Sequence, residues 1–280
     1  MHKVIERIFI KFFVPLFLLW LPFVVPQYHV NFDTASILTV VSLLFAILAG
    51  FFIASTTTNY FSLQGLLSQE GANLIAILNL SKFFKSGSEK IREVIDKYLI
   101  TGLDYELPAY IEGTEKEFKE LTIAVDELDY ADMTNDNFSS DIQGTKNELF
   151  GIRQGIMLTA RKIIGTYHWL ILILLALLNN ILLFLLRDGG WLSSVIVGVL
   201  LVATYFILVL LYELDSGLFM EEQLSFETAE KVFEGIDKLR YYPEYLIKEK
   251  RVKGLVVPYR LGVYKDYPRS MEKEIRVIDI

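Results

Sequence analysis

The side chains that most often carry enzyme chemistry are scarce in this sequence. Its histidines are His2, His29 and His168, and it contains no cysteine. Thiolate nucleophiles, disulfides and cysteine-ligated metals are therefore excluded. The sequence also lacks a phosphate-binding glycine-rich loop, a zinc-binding H-E-x-x-H pair and the G-x-S-x-G turn of serine hydrolases. We expect no enzyme activity, no cofactor and no metal site.

Acidic side chains form one cluster that could hold a cation. Glu213, Asp215, Glu221 and Glu222 lie close together near the end of an apolar segment. The same pattern is typical of a solvated surface next to a membrane, and we favour that interpretation. The net charge of −7 argues against a nucleic-acid partner.

Four apolar segments are long enough to cross a lipid bilayer, which requires roughly 20 mainly apolar residues. Apolar residues make up 53% of the 280, and the mean hydropathy is +0.40. The predicted spans cover about residues 12–30, 36–55, 167–186 and 191–212. They pair into two membrane hairpins, each closed by a short loop.

The basic residues orient these hairpins. All but one of the 27 lysines and arginines lie in the N-terminus, in the 56–165 segment or after Tyr212; the exception is Arg187. Basic residues concentrate on the cytoplasmic side, so both termini are expected there, in the plasma membrane. We predict an all-α integral membrane protein with four parts: an N-terminal membrane hairpin (1–55), a cytoplasmic helical insert (56–165), a second membrane hairpin (166–212) and a cytoplasmic tail (213–280).

Local patterns predict helices in the insert and in the tail. The capping-box patterns Ser86…Glu89 and Thr114…Glu117 predict helix starts. Apolar periodicity predicts a long helix from about 141 that continues directly into the third span. The predicted ranges are 88–104 and 115–129 in the insert, and 226–240 in the tail, followed by an extended 252–264 segment.

The second span is followed by polar residues without charge, since no Asp, Glu, Lys or Arg occurs between Asp33 and Glu70. Small residues recur at every fourth position along one face of this span. Such a ridge allows the backbone of another helix to approach closely. The predicted helix-packing residues are Ser42, Ala46, Gly50 and Ala54.

A neighbouring face of the second span changes from apolar to hydroxyl and amide side chains. Contact with lipid or with another helix explains this face. A second interpretation is an ion pathway, in which apolar rings form a constriction and uncharged polar groups line a water-filled vestibule. The predicted pore-lining residues are Phe45, Leu48, Phe52, Ser55 and Asn59.

The order of several motifs resembles the bestrophin-like membrane domain family. The second span runs into N-Y-F…Q-E-G-A-N, an arginine-bearing helix enters the third span, and 213-ELDSGLF-219 closes the fourth. The resemblance covers about residues 35–240. The residues carried over by these motifs are Glu70, Asn73, Arg161, Asp215 and Gly217.

The resemblance implies architecture and a possible activity. Bestrophins are pentameric anion channels whose second span lines the pore with an apolar neck. The resemblance therefore implies a homo-oligomer, a pentamer, that conducts small inorganic ions. This sequence lacks the bestrophin arginine and tryptophan motif after the second span and has serine, threonine and asparagine there.

Two other functions fit the same layout. The first is a non-conducting membrane scaffold whose cytoplasmic helices bind a protein partner. The second is a stator-like proton-channel subunit, which we rank lower because no span contains an acidic residue.

Overall fold

The computed structural model describes residues 12–28, 31–105, 107–130, 136–161, 163–216, 226–249, 251–252, 254–255 and 257–279. These residues are mostly helical. In chain order the elements are α1 (Val14–Val24), α2 (Thr34–Ser81), α3 (Ser88–Gly102), α4 (Leu107–Gly113), α5 (Glu115–Asp126), α6 (Asp136–Thr159), α7 (Thr166–Leu186), α8 (Trp191–Asp215), α9 (Glu227–Gly235), β1 (Tyr241–Pro243), α10 (Glu244–Lys248), β2 (Tyr259–Tyr264) and β3 (Lys273–Ile278).

The chain divides into two compact units. The first contains Met1–Thr58 and Lys162–Leu218, and the second contains Asn59–Arg161 and Phe219–Ile280. The insert and the tail therefore fold together in the second unit, although more than 50 residues of membrane hairpin separate them in the sequence.

Three described helices, α2, α7 and α8, are long and apolar enough to cross a membrane. They correspond to the second, third and fourth predicted spans. The first predicted span contains α1, a helix of 11 residues. Val25 is extended because Pro26 follows it, and a residue before proline is disfavoured in the helical region. Three of the four predicted spans thus correspond to helices long enough to cross a membrane, and the first corresponds to the shorter helix α1.

The second span and the polar segment after it form one continuous helix. With 48 residues, α2 is roughly 70 Å long at ~1.5 Å per residue. A hydrocarbon core of about 30 Å accounts for less than half of that length. The helix therefore extends well beyond a bilayer, as its uncharged sequence predicted.

In the first unit, α2 packs against α7 and α8 through apolar side chains. Phe45 and Phe52 form a buried cluster with Leu172, Ala176 and Leu211. α1 packs against α8, where Gly198 allows close approach: a Cβ there would lie 2.9 Å from the backbone oxygen of Leu19. Apolar packing and a close backbone approach thus both hold helices of this unit together.

The predicted continuous helix into the third span is wrong. α6 ends at Thr159, and α7 begins at Thr166 after Gly165, whose backbone is extended. The carboxylate of Asp215 accepts hydrogen bonds from the backbone N–H groups of Ile163 and Ile164, at 3.0 and 2.8 Å. A side chain distant in sequence therefore satisfies the backbone groups that a continuous helix would have paired.

The helices predicted in the insert are present as α3 and α5, but their capping boxes are not. Gly87, with a φ of 108°, precedes α3 in the place expected for Ser86. Before α5, the hydroxyl of Thr114 donates to the carbonyl of Tyr110 at 2.7 Å instead of capping the helix. The two helices were therefore predicted correctly, but the hydrogen bonds at their N-termini were not.

The prediction of an all-α fold is wrong for the tail, which contains a three-stranded sheet. β1 pairs with β2 in parallel, and β2 pairs with β3 antiparallel. The extended segment predicted at 252–264 contains β2. β1 has three residues, all of them buried, and such a short strand has no alternating pattern to reveal it.

The sheet is anchored to the end of α3 by buried charges. Asp104, which is 4% exposed, is the second residue after the helix. It accepts hydrogen bonds from three side chains of the tail: Tyr241, Tyr264 and Lys273. Burial lowers the pKa of the Lys273 ammonium, and the adjacent Asp104 carboxylate opposes that change. The ion pair therefore ties the sheet to the helical part of the second unit.

Candidate functional site

Glu70 is a carboxyl group inside the second unit, on the part of α2 that lies beyond the predicted span. It is 4% exposed. One carboxylate oxygen accepts a hydrogen bond from Tyr98, and the other accepts one from Tyr110 at 2.7 Å. The two tyrosine oxygens lie 3.0 Å apart. Helices α3 and α4 thus each supply a phenol to the same buried acid.

Arg153 of α6 also belongs to this cluster, but it does not donate a hydrogen bond to Glu70. It donates to the hydroxyls of Tyr98 and Thr114 and to the carbonyl of Ile111. Its nearest approach to Glu70 is 4.0 Å. The guanidinium also lies 4.1 Å from the ring centre of Phe118, where a cation–π interaction stabilises it.

The protonation of this cluster is set mainly by burial. Loss of water raises the pKa of the Glu70 carboxyl, and the bonds from Tyr98 and Tyr110 and the charge of Arg153 oppose that change. Burial and the Glu70 charge raise the pKa of both tyrosines well above the ordinary value, so both stay protonated and donate. The acid is therefore less strongly ionised than a surface glutamate.

Glu70 and Tyr110 line a cavity of about 400 Å³ within the second unit. This volume is within the ~300–1,000 Å³ range of small-molecule sites. Its wall is built from the second half of α2, the end of α3, the start of α4, the first turn of α9 and the segment around α10. Aromatic rings in that wall belong to Tyr105, Tyr110, Phe226 and Tyr245.

The other residues carried by the family motifs lie in different places. Asn73 is half-buried, and its side-chain nitrogen has no partner among the described residues. Arg161 is exposed, after the end of α6. Gly217 lies outside the described residues. Glu70 is therefore the motif residue that lies in the buried polar cluster. The arginine near it is Arg153, not Arg161.

Sequence reasoning missed the partners of Glu70, although one signal was present. Arg153 falls between Ile152 and Ile156 on the apolar face of α6, an unusual place for an arginine. It is 3% exposed. An arginine on the buried face of a helix predicts a buried polar partner, but not which one.

Asp215, another motif residue, lies in the first unit and accepts hydrogen bonds there. Besides Ile163 and Ile164, it accepts a 3.1 Å hydrogen bond from the indole of Trp169. Three donors thus converge on one carboxylate at the start of α7. This arrangement fixes a helix entry, and no cluster of metal-binding side chains occurs within the described ranges.

The predicted pore-lining residues are not on an open face of the chain. Phe45 and Phe52 are each 5% exposed, in contact with α7 and α8. Leu48 and Ser55 are half-buried at the edge of that contact. Asn59, in the second unit, donates a 2.6 Å hydrogen bond to the carbonyl of Thr159 at the end of α6. As placed here, the two phenylalanine rings pack inside the chain.

The predicted helix-packing ridge separates into two parts. Ser42 donates a 2.6 Å hydrogen bond to Asn179 of α7, as expected for buried amides between membrane helices. Ala46, Gly50 and Ala54 are instead exposed, and no atom of the described residues lies within 4 Å of a Cβ added at Gly50. Three of the four small residues therefore remain available for contacts outside the chain.

Comparison with known proteins gives one match. A family model described as a bestrophin-like domain matches residues 9–217. A search of curated proteins and a search of solved structures each found no match. The matched range includes α1 to α8, and hence Glu70, Arg153 and Asp215.

Proposed function

This chain belongs to the bestrophin-like family, and from that membership we propose that it forms a homo-oligomeric membrane channel for small inorganic ions. The subunit number of bestrophins, five, is the expectation for the oligomer. The plasma membrane is the proposed location, with both termini cytoplasmic. The proposal includes no enzyme activity.

The open face of α2 supports this proposal. Opposite the buried Phe45 and Phe52, exposed residues recur at spacings of three and four, which keeps them on one side of a helix. They are Val40, Leu43, Ile47, Gly50, Ala54 and Thr58. Large apolar groups occupy the first half of this face, and small groups with one hydroxyl occupy the second.

This face has the pattern of a constriction followed by a wider vestibule. Rings of apolar side chains gate by excluding water, and small uncharged groups leave room for hydrated ions. Because Phe45 and Phe52 are used for packing within the chain, we assign the constriction to Leu43 and Ile47. Ala54 and Thr58 then face the wider part of the pathway.

Conductance of the purified protein in planar bilayers tests this assignment. Ile47→Ser should wet the constriction and raise the conductance. Ala54→Lys should shift the reversal potential in a salt gradient toward anion selectivity, and Ala54→Glu should shift it toward cations, because rings of charge set selectivity.

Phe52→Ser is the matched control, since it introduces the same side chain on the buried face of the same helix. It should lower thermal stability, as expected for a buried aromatic residue, without raising the conductance. Identical reversal potentials for the two Ala54 variants would show that this face does not line the pathway. Failure of both the wild type and Ile47→Ser to conduct would contradict the channel itself.

A further inference from the structure

The cavity of the second unit is larger than the gaps that side-chain packing normally leaves. Protein interiors contain few voids bigger than a water molecule. This cavity measures about 400 Å³, whereas an apolar cavity of roughly 150 Å³ already holds benzene. The space therefore suits a ligand with a body of about two fused rings.

The deep part of the cavity is apolar. Its lining includes buried aliphatic side chains, and they are Leu74, Leu99, Val232 and Leu246. A buried water molecule needs about three hydrogen bonds, which aliphatic groups do not supply. Transfer of apolar surface out of water is favourable, in contrast. This part of the wall therefore favours an apolar ligand over water.

Three charged side chains in the wall of the cavity have an opposite charge close by. Lys231 and Glu227, both exposed, form an ion pair with each other at 2.7 Å. Arg251 lies 3.7 Å from the carboxylate of Glu249. These pairs leave no excess of one sign of charge at this part of the wall.

Glu70, the fourth charged side chain of the lining, is also compensated. Its two carboxylate oxygens accept hydrogen bonds from Tyr98 and Tyr110, and Arg153 supplies the opposite charge at 4.0 Å. A charged ligand would therefore bring an additional charge into the cavity without a partner for it. Burial of an unpaired charge is costly, so the lining selects against both ammonium and carboxylate ligands.

We propose that this cavity binds an uncharged small molecule with a largely apolar body. The buried aliphatic side chains would contact this body, and aromatic rings in the wall would pack against it; these rings belong to Tyr105, Tyr110, Phe226 and Tyr245. The site goes beyond the proposed ion conduction and does not depend on it, because every residue of the lining belongs to the second unit.

Three probes with the same naphthalene body and different charges test this preference. At neutral pH, 1-naphthaleneethanol is uncharged, 1-naphthaleneethylamine is positive and 1-naphthaleneacetate is negative. Titration calorimetry of the full chain, with probe and protein in the same detergent solution, measures saturable binding. The alcohol should bind at least about tenfold more tightly than either charged probe, because the cavity offers no partner for an added charge. Failure of the alcohol to bind, or equal or tighter binding of the amine or the acetate, would overturn the proposal.

Two variants locate the alcohol in the cavity. Ala229→Phe on α9 and Ser68→Phe on α2 add a ring to the wall from two different helices. Each should weaken binding of 1-naphthaleneethanol at least about tenfold, because the ring occupies the volume that the ligand needs. Circular dichroism identifies the folded variants, and Ser68→Phe decides the test if Ala229→Phe does not fold, since Ser68 is exposed. Wild-type affinity in either folded variant would overturn the proposal.

Ala72→Phe is the matched control for these two variants. It introduces the same side chain on α2, at an exposed position outside the cavity lining. Its affinity for the alcohol should equal that of the wild type, and the alcohol should enter the detergent micelle to the same extent. An equal loss of affinity in Ala72→Phe and in the cavity variants would show that the alcohol binds elsewhere, which would overturn the proposal.

Discussion

Arg260 of β2 donates two hydrogen bonds to the carboxylate of Asp96 on α3, at 2.7 and 2.6 Å. Both side chains are largely buried, at 13% and 10% exposed. The same guanidinium donates to the carbonyl of Leu239 and lies 5.2 Å from the ring centre of Phe233. One arginine therefore joins the tail sheet, the end of α9 and the insert.

Arg260→Leu should strongly destabilise the second unit, because it leaves Asp96 buried without a cation. Loss of one partner of a buried pair typically costs about 3–5 kcal/mol. Thermal unfolding of the purified chain measures the effect. Arg276→Leu removes an arginine from an exposed pair with Glu274 on β3 and should change stability by less than about 0.5 kcal/mol. Equal losses in the two variants would contradict the anchoring role of Arg260.

One arginine in α6 and another just after its end give a second comparison. Arg153→Met should destabilise the chain by about 3–5 kcal/mol, since Tyr98 and Thr114 lose a buried donor and Glu70 loses its nearest positive charge. Arg161→Met removes an exposed arginine that follows the end of the same helix, and it should have little effect on thermal unfolding. If Arg161→Met proved the more harmful, the motif residue and not Arg153 would hold the fold.

Features that depend on local pattern were predicted well from the sequence. The long apolar helices α2, α7 and α8 and the insert helices α3 and α5 follow from hydropathy and periodicity. The family was also recognisable, because its motifs occur in order along the chain. Hydropathy, periodicity and motif order can be read without knowing which residues pack against each other in the fold.

Features that depend on distant partners were not predictable in the same way. The break before α7 requires Asp215, which is 52 positions from Ile163. The Glu70 cluster joins α2 with residues of α3, α4 and α6, and the tail sheet requires a parallel pairing across an intervening helix. Which face of α2 is exposed could not be predicted for the same reason. The helical pattern defines the faces of a helix, but it does not indicate which face the rest of the chain covers.

The orientation in the membrane is testable because the chain has no native cysteine. Cysteine at Gln27 or Gly190 should react with an impermeant thiol reagent added to intact cells, and cysteine at Ser86 should react only after lysis. The physical reason is the distribution of basic residues, which favours the cytoplasmic side for the insert. Labelling at Ser86 from outside would overturn the two-hairpin topology.

Two glycines of the first unit separate contacts within the chain from contacts between chains. Gly50 faces open space, whereas a Cβ at Gly198 would lie 2.9 Å from the backbone oxygen of Leu19. Gly198→Leu should therefore overpack the α1–α8 contact and cost about 1–3 kcal/mol in thermal stability.

Gly50→Leu should leave the fold of each chain unchanged and act on the oligomer, because among the described residues no atom lies within 4 Å of a Cβ added there. If α2 of a neighbouring copy approaches along the small-residue ridge, the added leucine separates the two helices and weakens assembly. The molar mass in detergent, measured by light scattering, should fall for Gly50→Leu relative to the wild type, with the far-ultraviolet circular dichroism unchanged. An oligomer of unchanged mass and stability would mean that no helix of a neighbouring copy packs against Gly50, and the small-residue ridge would then not be an assembly contact.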